Sequence, residues 1–207
     1  MLFYESIDTP TLELLKKLQS IRLFSGLRLV GGTSLALQYG HRKSVDLDLL
    51  GTLEADIITL SAALLPCGKV TRLNNTTNIH VYSINGIKVD IVNYPYPWID
   101  ALQMVDGLSL SSVKDIGAMK LAAITGRGTK KAFIDLYLLL QHFSLPDLIQ
   151  FYEQKFYDGS VFFVLKSLVY FEDADMEQMP IMLHVFSWDE IKARIRMEHS
   201  AYMKSLG

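Results

Sequence analysis

The segment LVGGTSLALQYGHRKSVDLDLL, residues 29–50, limits what this chain can fold into more than any other part of it. A short apolar strand stops at Gly31 and Gly32, where the absence of a side chain lets a ligand approach the backbone closely. Thr33 then opens a short apolar helix that ends at Gly40. Free N–H groups at the start of such a helix suit an anion. The segment therefore predicts a strand, a glycine turn and a helix that together can hold a phosphate.

Two aspartates follow this helix in strict alternation with apolar residues. The alternation places Asp46 and Asp48 on one face of a strand. It directs the apolar residues Val45, Leu47 and Leu49 into the core. Neighbouring carboxylates repel each other, and a hard divalent cation such as Mg²⁺ is their natural counter-charge. Taken alone, the glycine pair is equally typical of an ordinary tight turn, and the aspartate pair of a solvated edge strand.

A third carboxylate lies in a predicted hairpin. Asn85-Gly86 between two apolar stretches is typical of a two-residue β-hairpin turn. In the returning strand, Lys88 and Asp90 face away from the apolar residues. A lone aspartate in such a strand needs a partner. That partner is either a metal ion shared with the first two aspartates or a nearby cationic side chain.

These residues resemble a known family. The Gly-Gly-Thr at residues 31–33, followed by Asp46-x-Asp48, resembles the signature of the polymerase-β-like nucleotidyltransferases. The fuller string GGTSLALQYGHRKSVDLDL is similar to the AbiEii/AbiGii toxin branch of that superfamily. The resemblance implies that Asp90 is the third acidic residue of the site. It also implies an α+β fold with a polymerase-β-like nucleotidyltransferase core, consisting of a small mixed sheet with flanking helices.

The resemblance continues to about Leu140. The string KDIGAMKLAAITGRGTKKAFIDLYLLL is similar to later motifs of the family, a helix lysine and then an aspartate after a basic loop. Those roles transfer to Lys120 and Asp135. A lysine in an apolar helix stripe can reach a triphosphate as a point charge, and Asp135 could accept its ammonium or orient the acceptor. The alternative is a buried ion pair that only joins two helices. The basic loop, with Arg127, Lys130 and Lys131, is either solvated or grips phosphates or an RNA backbone.

The resemblance implies Mg²⁺-dependent transfer of a nucleoside monophosphate from an NTP to a hydroxyl group, with Mn²⁺ as a possible substitute. The expected metal ligands are Asp46, Asp48 and Asp90, and one carboxylate, which we take to be Asp90, would accept the proton of the attacking hydroxyl. The expected nucleotide-binding residues are Gly31, Gly32, Thr33, Arg42 and Lys120. By resemblance the acceptor is RNA, tRNA in particular. The setting would be a toxin of a bacterial toxin–antitoxin or abortive-infection system, with a cognate antitoxin.

Composition and hydrophobic pattern limit the domain organisation, the partners and the location that we expect. The hydrophobic pattern predicts a sheet-containing core over residues 1–110 and a helical region packed on it over residues 111–207. The net charge of -2 supplies no general attraction for nucleic acid. Cys67 is the only cysteine, which excludes an internal disulfide. The sequence contains neither a secretory signal nor an apolar stretch that could cross a membrane, so we expect no membrane partner and a cytoplasmic location.

Three other functions stay open from the sequence. A non-catalytic nucleotide-binding module that works through a partner protein would bind NTP without turnover. A transferase could modify a protein or a small molecule instead of RNA. A hydrolase that uses the same metal ions on water would release free NMP and label no macromolecule.

Overall fold

The computed structural model describes all residues from Met1 to Gly207, and the chain separates into two compact units. The sheet unit comprises residues Met1–Tyr96 and Ala101–Ser111. The helical unit comprises Pro97–Asp100 and Ser112–Gly207. All strands lie in the sheet unit, and the fold is α+β, as the sequence predicted.

The sheet unit contains seven strands and three α-helices. In chain order they are α1 (Thr9–Ser20), β1 (Leu27–Leu29), α2 (Gly31–Tyr39), β2 (Leu47–Gly51), α3 (Ile57–Leu64), β3 (Val70–Asn75), β4 (Ile79–Ile84), β5 (Ile87–Asn93), β6 (Gln103–Val105) and β7 (Leu108–Leu110). The spatial order is β3-β4-β5-β2-β1-β7-β6. The sheet is mixed, since β2 runs parallel to β5 and antiparallel to β1.

Burial in the central strands follows the alternation of the sequence. Leu47 and Leu49 of β2, like Val89 and Ile91 of β5, are completely buried. The expectation for Val45 is wrong, because its side chain is 49% exposed. The reason is that β2 begins only at Leu47, so Val45 belongs to the connection that precedes the strand.

Local turn and cap signals explain where most elements begin and end. Asn85 and Gly86 form the hairpin turn between β4 and β5 with φ angles of 53° and 88°, as expected for this dipeptide. Helix α3 starts at Ile57, because the Asp56 side chain caps it by accepting a hydrogen bond from the Thr59 N–H. The short strands β6 and β7 were not predicted, because three residues are too few to show a period.

The helical unit contains six helices. They are α4 (Val113–Gly126), α5 (Lys130–Leu139), α6 (Leu145–Lys155), α7 (Val161–Leu168), α8 (Glu172–Asp175) and α9 (Trp188–Ser205). Ser112, Ser144 and Ser187 cap α4, α6 and α9 through their hydroxyl groups, which accept hydrogen bonds from backbone N–H groups of the first turn. No helix of the protein combines the length and the apolar character needed to span a membrane.

A buried ion pair anchors the helical unit. Lys155 and Asp115 have no exposed side-chain surface, and their Nζ and Oδ1 atoms are 2.7 Å apart. Asp115 also accepts hydrogen bonds from the Ser112 hydroxyl at 2.6 Å and from the Ile99 N–H at 3.0 Å. The Lys155 ammonium lies 4.3 Å from the centre of the Trp98 ring. Trp98 is therefore part of the packing of this unit.

Candidate active site

Two carboxylates face each other across the central strands, and a third lies nearby in the chain. The parallel register of β2 and β5 sets Asp48 directly opposite Asp90. Asp46 lies two residues before Asp48, in the segment that leads into β2. All three side chains are partly exposed. The sequence could place two of these residues on one face, whereas the third joins them through the pairing of strands that are distant in the chain.

The glycine turn lies directly against this edge. Gly31 has a φ of +69°, a conformation that residues with a side chain rarely adopt. A Cβ atom built on Gly31 would lie 2.5 Å from the Asp48 Oδ2 atom, so the missing side chain leaves room for this carboxylate. Helix α2 starts at Gly31 and continues through Gly32, and no side chain caps it. Its first N–H groups can therefore serve an anion beside the aspartates.

Thr33 holds the segment that carries Asp46. Its hydroxyl is 2.8 Å from the Ser44 hydroxyl and donates to the carbonyl oxygen of Asp46. Only 1% of Thr33 is exposed. The side chain thus fixes the Asp46 backbone, and what Thr33 can offer to a phosphate is its N–H group at the start of α2.

Arg42 is buried beneath the connection between α2 and β2. It is 2% exposed, and its guanidinium donates to the Lys43 carbonyl oxygen at 3.0 Å. Its neighbour His41 is fully buried as well. In this structure Arg42 supports the connection that leads to Asp46, and its assignment to nucleotide binding stays a prediction.

Lys88 is a residue of the site that the sequence analysis did not assign. Its Nζ atom is 2.7 Å from the Asp90 Oδ2 atom, and the two side chains are 46% and 22% exposed. Burial acts to lower the pKa of Lys88. The hydrogen bond to Asp90 and the negative charges of Asp90, Asp48 and Asp46 outweigh burial and raise the pKa. The alternation that places Lys88 on the same face as Asp90 was the available signal.

The two oxygens of Asp90 differ in their surroundings. Oδ2 binds Lys88, whereas Oδ1 is buried and has no hydrogen-bond partner. A buried carboxylate oxygen without a partner is costly unless a cation or a donor reaches it. Asp90 is thus only half satisfied, and this fits a group that receives a ligand or a proton.

The carboxylates fit a divalent cation only in part. No group of three or more His, Cys, Asp or Glu side chains converges closely enough to hold a metal ion by itself. Mg²⁺ usually takes one or two carboxylates and completes its shell with water and substrate phosphates. Asp48 and Asp90, which face each other across the β2–β5 register, match that requirement. The donor set therefore fits a cation that arrives with a nucleotide.

A cleft borders the acidic edge. It has a volume of about 430 Å³ and is lined by Asp46 and Lys88, by the start of α1 and by the β4–β5 turn. A more open depression of about 530 Å³ lies at the other end of β1 and β2, beside Thr52 and Glu54. Only the first of the two touches residues that the sequence predicted to be catalytic.

Lys120 and Asp135 lie in the helical unit and pair with each other. The Lys120 Nζ atom on α4 is 2.7 Å from the Asp135 Oδ2 atom on α5, and the side chains are 11% and 0% exposed. The ion pair agrees with the sequence analysis, and its part in catalysis stays a prediction. Of the residues of the predicted basic loop, Arg127 precedes α5, whereas Lys130 and Lys131 form the start of this helix. Lys130 is buried and bonds Glu177, while Arg127 and Lys131 are exposed.

Comparison with known proteins shows to which family the chain belongs. Residues 13–200 match the family model described as nucleotidyl transferase AbiEii toxin, type IV toxin–antitoxin system. The chain belongs to this family. The resemblance read from residues 31–48 is thereby confirmed, and the protein is a nucleotidyltransferase of a type IV toxin–antitoxin family. Membership implies an NTP substrate, a divalent metal ion and an antitoxin partner.

Individual relatives agree with this assignment. An uncharacterized protein of Aquifex aeolicus is 30% identical over 199 residues, which cover 93% of this chain and 96% of the relative. The crystal structure of JHP933 from Helicobacter pylori has a TM-score of 0.56 at 17% identity and covers 97% of this chain and 96% of its own. The nucleotidyltransferase toxin MenT4 from Mycobacterium tuberculosis has a TM-score of 0.56 at 14% identity, with coverages of 93% and 84%. At these identities the two solved structures support the fold.

Proposed function

We propose that this AbiEii-family protein transfers a nucleoside monophosphate from an NTP to a hydroxyl group of RNA, with tRNA as the expected acceptor. The observation that carries the proposal is the juxtaposition of Gly31, Asp48 and Asp90. A helix start suited to phosphate lies within reach of two carboxylates that face each other across parallel strands.

Each residue of the acidic edge has a role in this proposal. The N–H groups of Gly31, Gly32 and Thr33 would hold phosphate oxygens at the start of α2. Asp48 and Asp90 would bind Mg²⁺, or Mn²⁺ in its place, together with water and substrate phosphates. Asp46 is the third expected ligand, and the segment that leads into β2 carries it. When bound, the metal stabilises both the entering and the leaving oxygen of the in-line displacement.

Asp90 is the proposed proton acceptor. Its Oδ1 atom has no partner, so it can take the proton of the attacking hydroxyl. A bond then forms between the acceptor oxygen and the α-phosphorus, while the bond from that phosphorus to the bridging oxygen of the β-phosphate breaks. Pyrophosphate leaves with the electron pair of that bond.

The family resemblance supports RNA as the acceptor, and charge contributes only locally. Since the net charge is -2, contact with RNA would depend on a few exposed cations. Arg127, whose side chain is 83% exposed, and Lys131 are such cations in the basic loop. Replacing both with alanine should raise the KM for RNA more than the KM for NTP.

The resemblance also assigns Lys120 to the triphosphate and Asp135 to Lys120 or the acceptor. A double replacement separates this role from a structural one. Lys120→Met together with Asp135→Leu removes the buried pair without leaving a lone charge, so the fold should keep most of its stability. If the pair serves catalysis, the double variant is folded and inactive. A folded variant with full activity would assign the pair to structure alone.

A transfer assay tests the proposal directly. The purified protein is incubated with Mg²⁺, each α-labelled NTP in turn and either total RNA or soluble protein. Asp48→Ala is the inactive variant, and Glu54→Ala, an exposed carboxylate at the other end of β2, is its matched control. We expect label in RNA for the wild type and for Glu54→Ala, and none for Asp48→Ala.

The other outcomes identify the alternatives. Label in the protein fraction alone would replace RNA by a protein acceptor. Release of free NMP without labelled macromolecules would indicate hydrolysis. Nucleotide binding without turnover on either acceptor would contradict transfer to RNA and direct the search to small molecules or to a binding role.

A further inference from the structure

The ammonium group of Lys88 lies inside the acidic cluster, which we define as Asp46, Asp48 and Asp90. It contacts Asp90 Oδ2 at 2.7 Å, and the charges of Asp48 and Asp46 also act on it. The three carboxylates would repel one another without a nearby positive charge. Lys88 supplies that charge from within the chain.

We propose that Lys88 is the resident counter-ion of the acidic cluster, which neutralises Asp90 in the free protein and withdraws when the divalent cation binds. This inference rests on the proposed function, because it requires the cluster to be the metal site. Lys88 is accordingly a positioning residue that acts through Asp90 and the cluster.

The surroundings of Lys88 allow such an exchange. Its side chain is 46% exposed and has a flexible stem, so moving it requires no repacking of the core. Lys88 also lines the cleft of about 430 Å³ beside Asp46, so the ammonium has open space into which it can move away from Asp90. When the ammonium withdraws, the Asp90 Oδ2 atom becomes available to the cation, while the unpaired Oδ1 atom keeps its proposed role as proton acceptor.

The exchange has a consequence for metal binding. A cation that enters the free protein must compete with a tethered ammonium, so Lys88 lowers the affinity for metal alone. Substrate phosphates add ligands that favour the cation over the ammonium. The cluster would therefore fill when metal and nucleotide arrive together and would hold metal weakly in the absence of nucleotide.

The inference is tested by titration calorimetry, which measures how tightly the protein of residues 1–207 binds Mn²⁺ in the absence of nucleotide. Lys88→Met should bind Mn²⁺ about two- to fivefold more tightly than the wild type, the range expected for loss of one partly exposed ion pair. Lys88→Arg, which keeps the charge, and Lys69→Met, which removes an exposed lysine of the same unit, should bind like the wild type. In metal-free buffer the melting temperature of Lys88→Met should fall, and Mn²⁺ should restore it.

The controls separate two kinds of failure. Unchanged or weaker Mn²⁺ binding by Lys88→Met would overturn the counter-ion role, and Lys88→Gln replaces this variant if it does not fold. Asp48→Ala should abolish Mn²⁺ binding. If Asp48→Ala binds Mn²⁺ like the wild type, the cluster is not the metal site and the proposed function loses its metal assignment. If only the Lys88 variants behave like the wild type, the proposed function stands without this inference.

Discussion

Three aspartate–lysine pairs of this protein have a separation of 2.7 Å, and two of them, Lys88–Asp90 and Lys155–Asp115, differ sharply in burial and in their other hydrogen-bond partners. Lys155 and Asp115 in the helical unit have no exposed side-chain surface. Both oxygens of Asp115 accept hydrogen bonds, from Ser112, Lys155 and two backbone N–H groups. Lys88 and Asp90 in the sheet unit are partly exposed, and one oxygen of Asp90 has no partner.

The difference in hydrogen-bond partners shows how a purely structural ion pair can be distinguished from one that belongs to a binding site. A buried pair is stable when every polar atom finds a partner, because each unpaired atom costs free energy. The Asp115 pair meets that condition, so neither carboxylate oxygen of Asp115 remains without a partner for a ligand to bind. The Asp90 pair falls short of it, because its Oδ1 atom is buried and has no hydrogen-bond partner within the protein. That unpaired oxygen remains available to a ligand or a proton. The distance between charges does not distinguish the two, whereas the remaining hydrogen-bond partners do.

The largest expected effect is the loss of stability when the buried Lys155–Asp115 pair is broken. Asp115→Asn or Lys155→Met should lower the free energy of unfolding by about 3–5 kcal/mol, since each leaves a buried charge without its partner. Lys114→Met, which removes an exposed pair with Asp100, should cost less than about 1 kcal/mol. Urea denaturation followed by circular dichroism measures both. Equal losses in the two variants would mean that burial of the Asp115 pair adds nothing.

The second prediction concerns the partly exposed Lys88–Asp90 pair, for which we expect a large loss of activity and a small change in stability. Asp90→Asn should lower the rate of nucleotidyl transfer at least about a hundredfold, because it removes a ligand and the proposed proton acceptor. Its free energy of unfolding should change by less than about 1 kcal/mol. Turnover and urea denaturation of the same preparation provide the comparison, with Glu54→Gln as the control. A variant that loses stability and keeps activity would reverse the roles of the two pairs.

A smaller loss of activity is expected when a side chain is introduced at the glycine turn. Gly31→Ala and Gly107→Ala both place alanine at a positive φ, so each should cost roughly 1–2 kcal/mol of stability. At Gly107 the new Cβ meets no atom within 4 Å, whereas at Gly31 it would displace the Asp48 carboxylate. Only Gly31→Ala should therefore lose activity, by about ten- to a hundredfold. Equal activity in the two variants would mean that Asp48 does not depend on the space beside Gly31.

The smallest expected effect is the acid sensitivity of the buried pair. Burial acts to raise the pKa of Asp115, but hydrogen bonds from Lys155, Ser112 and the Ile99 N–H outweigh it and lower the pKa below its ordinary value of 3.8. A carboxyl group with a lowered pKa stabilises the fold above that ordinary value and loses this contribution as the pH falls through the folded-state pKa. The stability difference between the wild type and Asp115→Asn should therefore shrink below about pH 3.8. A difference that is constant from pH 6 to pH 2, measured by urea denaturation, would contradict the assignment.

The sequence by itself determined the features that depend on neighbours in the chain. The Asn85-Gly86 turn, the serine cap of α4 and the helix that starts at the glycine pair all arise from hydrogen bonds and dihedral preferences within a few residues. The α+β class and the family were implied by the resemblance of residues 31–48 to a known motif, and both are confirmed.

Only the tertiary structure decided which distant residues meet. The register of two strands set Asp48 opposite Asp90, and residues 40 positions apart formed the Asp115–Lys155 pair. The alternation of β5 places Lys88 beside Asp90, but only the pairing of β2 with β5 brings Lys88 under the influence of Asp48 and Asp46. Periodicity tells which face of an element a side chain occupies. What that face meets depends on the packing of the whole chain, which no local pattern records.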